Sequence, residues 1–134
     1  MEELLAKTTP PLSLQAHTDD VVEEATRLLD AFPHVVQAYD ARTGTSLREQ
    51  VLRAAHVHDW GKAHPTWQSA CQADAAEPGG RHLMKAQLRH EFASLMYAKQ
   101  ADVPLSEAEE VAIAAHHGKL SSYHPHRWEE DAEG

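Results

Sequence analysis

"AAHVHDWGKAHPTWQ", residues 54–68, decides how this chain is read. The run holds three histidines, an aspartate, a lysine and a proline, with Trp60 and Trp67 among them. His58 and Asp59 stand side by side, and Gly61 breaks the segment two residues later. One reading makes this a polar helix end, with imidazole set favourably against the helix dipole. The other has adjacent ligands presented to a metal. The flanking sequence bears on both.

Upstream, Ser46 begins a helix in which Glu49 completes a capping box. Leu47, Val51, Leu52 and Ala55 carry that helix toward Asp59, and Gly61 is expected to end it. Downstream, Pro65 suits the first turn of a short helix through Trp67, Ala70 and Cys71. Further out, residues 13–32 place Leu14, His17, Val21, Ala25, Leu28 and Phe32 at steps of three and four, a one-faced helix. Ser13 serves as its N-cap and Pro33 stops it. "AYDARTGT" (38–45) reads as a turn-rich connector and "ADAAEPGG" (73–80) as a flexible loop. A helix over 88–100 sets His90, Ser94 and Tyr97 on one stripe. Pro104 and Ser106 start a final helix, with Glu109 in a second capping box and Gly118 as its C-terminal cap. There is no internal repeat and no strand pattern. The expected fold is all-α: a compact bundle of about five helices in one domain over 1–134, with its core in 12–120 and a loop or disordered tail over 121–134.

A chain of 134 residues is one domain by length. With 42% hydrophobic but only 6% aromatic residues, its core has to rest on Ala, Leu and Val. No apolar run approaches the roughly 20 residues that span a bilayer, so no membrane partner is expected. "MEELLAKTTPP" is too polar and acidic for a signal peptide, and Cys71, the single cysteine, excludes an internal disulfide and a zinc–thiolate cluster. A cytoplasmic setting follows. The formal charge of −9 argues against tight, autonomous nucleic-acid binding, because phosphate affinity comes largely from Lys and Arg. It leaves open a nucleic acid delivered by another domain or subunit. Eleven histidines are the unusual number, and their spacing therefore matters.

On these helices His17, His58, Asp59, His90, His116 and His117 each fall on a core-facing stripe or a helix end. Convergence on one interior site is geometrically open to them. Neutral imidazoles with a carboxylate suit Mn²⁺, Fe²⁺, Co²⁺, Ni²⁺ or Zn²⁺. A carboxylate between two imidazole-rich groups can bridge two ions roughly 3.5–4 Å apart and so promote attack on a phosphodiester.

The ordered set His17, His58-Asp59, His90, His116-His117 resembles the HD phosphohydrolase superfamily. More narrowly, "HDWGKAHPTWQ", "RHEFAS" and "IAAHHGKL" resemble the HD nuclease domain of the CRISPR-associated helicase-nuclease of type I systems. The resemblance covers most of the chain. It implies that His58 binds a first metal, with His17 lining that site, that Asp59 bridges two metals, and that His90, His116 and His117 hold the second. Lys62 then contacts the scissile phosphate or orients the nucleophilic water, and Glu91 and Ser94 orient neighbouring ligands or pack. Two divalent transition-metal ions are implied, with manganese, nickel, cobalt, iron and zinc as candidates and magnesium as a further one. The implied reaction is cleavage of single-stranded DNA, with a helicase domain or subunit and an RNA-guided CRISPR surveillance complex as partners.

The family closes its first metal site with an aspartate beyond the His-His motif. In the 17 residues after His117 the only aspartate is Asp131, in "WEEDAEG" with no helix pattern behind it, and it is not taken as that ligand. Either the chain is a fragment, a partner supplies the group, or the first site is weak. The second site is expected to be the more reliable. Other readings stay open for several residues. His90, His116 and His117 suit packed or dipole-stabilising roles, and Lys62 suits a solvated surface. His56 reads as surface, His64 as a cap for the Pro65 helix, His34 and His82 as loop residues, and Trp60 and Trp67 as core anchors. His124 and His126 read as surface residues or substitute ligands. Two rival functions remain at this level: a nucleotide or cyclic-nucleotide phosphohydrolase, and a truncated non-catalytic module that binds metal or a partner.

Overall fold

The computed structural model describes residues 3–8 and 10–117. Gly118, Asp131, His124, His126 and the expected tail lie outside the described residues. The described chain is mostly helical, as expected, with seven α-helices rather than about five. It also contains a small hairpin that no sequence pattern announced: β1 (Leu5–Thr8) pairs antiparallel with β2 (Pro11–Ser13). The register skips between Leu5 and Lys7, leaving Ala6 out of the ladder.

Helix α1 (Leu14–Ala31) starts where its cap predicts, with the Ser13 hydroxyl accepting from the Ala16 N–H at 3.0 Å. Its buried stripe differs from expectation, because Thr18 and Leu29 are buried while Leu28 and Phe32 are exposed. Pro33 does stop α1, but it also opens α2 (Pro33–Thr43) at the first helical position, where its missing N–H costs nothing. Most of the expected 38–45 connector is therefore helix. Its end is Gly44, in the left-handed region at φ 68°.

Helix α3 (Leu47–Val57) takes Ser46 as its cap, whose hydroxyl accepts from Glu49 N. It ends at Val57, four residues before Gly61, and Trp60–Ala63 form a separate 3₁₀ segment. Helix α4 (Pro65–Ala76) has His64 Nδ1 as the acceptor for Thr66 N, so the expected cap is present. It continues through the first half of the expected 73–80 loop. Helix α5 (His82–Ala86) is a further short helix, followed by α6 (His90–Gln100) and α7 (Glu107–Ala115). In α7 both arms of the Ser106–Glu109 capping box are present.

Helix α3 packs on α1 and α7, while α6 packs on α7 and the 3₁₀ segment. Val57, Ala98 and Ile113 form the buried cluster, with Ala54, Trp60, Leu95, Val103 and Leu105 packed round it. The end of α3, the start of α6 and the end of α7 meet at one end of the bundle, which brings residues 58, 90 and 116 to Asp59. No helix among the described residues is long and apolar enough to cross a membrane.

Candidate metal centre

Asp59 is the centre of the site. It follows the end of α3, is only 2% exposed, and has two carboxylate oxygens facing five nitrogens. Oδ2 lies 2.8 Å from His17 Nε2, 3.2 Å from His58 Nε2 and 3.3 Å from Lys62 Nζ. Oδ1 lies 3.1 Å from His90 Nε2 and 3.2 Å from His116 Nε2. His117 completes that side, its ring centroid 4.5 Å from that of His90 and 4.2 Å from that of His116. The ligand atoms fall into two groups that share Asp59: His17, His58 and Asp59, and Asp59, His90, His116 and His117. In each group all ligand atoms lie within 4.8 Å of one another. All six residues singled out as ligands in the sequence thus meet.

Local structure aims the rings. His58 Nδ1 lies 2.5 Å from Ala55 O, and His116 Nδ1 lies 2.6 Å from Ile113 O. A carbonyl only accepts, so Nδ1 carries the proton in both, and Nε2 is left facing the carboxylate. That is the outer partner usual for a metal-bound histidine. His90 Nε2 is buried and has no hydrogen-bond partner, since its close approach to Asp59 is off the axis such a bond needs.

The electrostatics point the same way. Burial alone would raise the Asp59 carboxyl. The facing imidazoles of His116, His58 and His90 and the Lys62 ammonium outweigh that and hold it far below the usual carboxylate range. Burial depresses His17, and Asp59 only partly offsets it. Burial also depresses His117, with the neighbouring His116 and His90 adding to the effect. For His58, burial is outweighed by Asp59, and the ring is raised. One carboxylate cannot balance five protonated nitrogens. Neutral rings would turn Nε2 lone pairs onto its oxygens, and a cation between them relieves that repulsion. The donor set therefore fits divalent metal.

The supporting residues divide. Ser94 Oγ accepts from Gly61 N at 2.7 Å and shares its proton between His58 O at 2.9 Å and His90 O at 2.8 Å. It ties ligand-bearing backbones together and touches no ring through these bonds. Glu91 takes Arg89 Nε at 2.6 Å, and its other oxygen is 3.7 Å from His90 Nδ1, an ion-pair distance too long for a hydrogen bond. Lys62 is buried, not solvated. Besides Asp59, its ammonium donates to Ala6 O at 3.1 Å and stands 5.3 Å from the Trp67 ring. Gln68 went unremarked in the sequence, yet it is buried and accepts from Leu5 N at 3.0 Å. Its amide nitrogen donates to Leu5 O at 2.9 Å and Lys62 O at 2.7 Å. Trp67 is a core anchor as expected, its ring 6.4 Å from that of His90 and steeply inclined to it. His56 is exposed, as expected, while His34 and His82 lie in short helices instead of loops.

A family model described as Cas3, HD domain, matches residues 4–133. No curated protein and no solved structure gives a significant match.

Proposed function

Since the chain belongs to the family of Cas3 HD domains, which are CRISPR-associated HD nucleases, we propose that it is a metal-dependent nuclease cutting single-stranded DNA. In this reading residues 1–134 are a single HD domain, working in the cytoplasm with a helicase domain or subunit and an RNA-guided surveillance complex. The observation that carries it is the buried Asp59 carboxylate set between two groups of inward-facing imidazoles. His17, His58 and Asp59 would hold one divalent ion, and Asp59, His90, His116 and His117 a second. Manganese, nickel, cobalt, iron, zinc or magnesium would serve. Ions bound there supply a nucleophilic water at neutral pH and offset charge on the phosphodiester.

The chain's own groups do the rest. Asp59, kept ionised by its surroundings, links the two halves. The Nδ1–H bonds of His58 and His116 lock their rings so that Nε2 points at the centre. Among the described residues Lys62 commits protons to Asp59 and Ala6, and its third would turn to a non-bridging phosphate oxygen or the attacking water. Such a cation favours the more highly charged transition state. Ser94 and Glu91 hold His58 and His90 in place. The acidic balance of the chain fits a division of labour in which the helicase carries the basic track for DNA.

The test is to incubate metal-loaded protein with single-stranded DNA, duplex DNA and a nucleotide panel, with Asp59→Ala alongside. Cleavage of single-stranded DNA, reduced by at least about a thousandfold in Asp59→Ala, is expected. Selective nucleotide hydrolysis would overturn the nuclease reading in favour of a phosphohydrolase. Metal uptake without hydrolysis of any substrate would leave a binding module.

A further inference from the structure

The two halves of the centre differ in more than their imidazoles: among the described residues, only one of them faces an ammonium. We propose that Lys62 makes the two metal positions unequal, weakening the His17–His58–Asp59 position relative to the Asp59–His90–His116–His117 position. The inference rests on the metal-centre reading above and concerns what a residue of this chain does to it.

Lys62 Nζ lies 3.3 Å from Asp59 Oδ2, the oxygen that His17 and His58 also face, while Oδ1 is served by imidazoles. A dication sharing Oδ2 would stand close to a fixed positive charge. That repulsion is strong in a buried site and little screened by salt. The Oδ2 side also brings three ligand residues against four on the Oδ1 side. Both differences act in the same direction.

The ammonium is held where it is. Ala6, left out of the hairpin ladder, turns its carbonyl to Lys62 Nζ at 3.1 Å. The Lys62 carbonyl accepts from Gln68 Nε2 at 2.7 Å, and the same amide clasps both backbone groups of Leu5. Strand β1, Gln68 and Lys62 therefore close a buried ring, and withdrawing the ammonium means breaking a buried hydrogen bond. Gln68 is a positioning residue that acts through Lys62. The sequence set the lysine beside the metal motif, but only the hairpin shows what fixes it.

The experiment titrates the metal-free whole chain with Mn²⁺ by calorimetry and follows manganese–manganese spin coupling by electron paramagnetic resonance. Wild type is expected to take one ion tightly and a second at least about tenfold more weakly, with coupling only at the second. His17→Ala should remove the weaker event alone. Lys62→Met should tighten the weaker event and bring the two within about threefold, with the tight event unmoved. Lys62→Arg, which keeps the charge, should keep the gap, and Gln68→Leu should narrow it partly. Circular dichroism checks folding, and Lys62→Gln replaces Lys62→Met if the latter does not fold. Two equal events in wild type, or a gap indifferent to Lys62, would overturn this inference while leaving the metal centre standing. Failure of wild type to bind Mn²⁺ at all would remove the metal centre and this inference together.

Discussion

Gly61 shows how much one hydrogen atom in place of a side chain decides here. A Cβ at this position would sit 1.9 Å from His90 O, 2.7 Å from His90 C and 2.8 Å from Ser94 N. These are backbone atoms at the start of α6 and cannot rotate aside. The close approach lets Gly61 N reach Ser94 Oγ and brings Asp59 to His90. Gly61→Ala is therefore expected to lose more than about 3 kcal/mol in chemical denaturation, beyond an ordinary surface change. A loss under about 1 kcal/mol would mean that α6 can slide away. In the sequence Gly61 was legible as a break but not as a contact, since its neighbour lies 29 residues on. The candidate ligands were legible for the opposite reason: their chemistry and order mark them whatever their surroundings. Gln68 and Ala6 carried no such mark, because an ordinary polar residue and an alanine acquire their roles only from a partner 56 to 63 residues distant.

At the level of elements, the helices with clear caps and stripes were the readable ones. Helix α2 has no buried residue, so it shows no stripe, and its two signals, Pro33 and Gly44, were read as a stop and a turn. Helix α5 has five residues, too few to display a period, and it is organised from outside by Asp74. That carboxylate accepts from His82 N at 2.6 Å and Leu83 N at 3.1 Å, capping a helix whose own N-cap, Arg81, makes no side-chain cap bond. The His82 backbone bond is the main cause holding the Asp74 carboxyl below its usual range. A depressed carboxyl contributes stability above its unfolded value near 3.8, and loses it as pH falls through the lower folded value. The Leu83 amide resonance should therefore make its Asp74-dependent step only below about pH 4. In Asp74→Asn that acid-side step should vanish; its persistence would assign the cap to another group. The hairpin escaped the sequence for a similar reason, since strands of four and three residues joined with a register skip give no usable alternation.

For the whole molecule, the centre is a seam among α1, the turn after α3, the start of α6 and the end of α7, so a cation there would bind the fold and not the unfolded chain. At about one hundred times its dissociation constant, metal should add about 2.7 kcal/mol, raising Tm by roughly 10 °C for a domain of this size. Calorimetry with Mn²⁺, reversed by a chelator and smaller in His90→Ala, checks this; an unmoved Tm would count against the centre. The amino-acid sequence by itself determined the helical class, the principal helices and which residues are the candidate ligands. Those features rest on local capping, periodicity and side-chain chemistry, which neighbours along the chain specify. Tertiary structure alone decided that Asp59 lies between two unequal groups, that Lys62 is buried against one of its oxygens, and that an N-terminal strand and Gln68 hold it there. These depend on close packing between segments remote in sequence, where a missing Cβ or a skipped register sets which groups can meet.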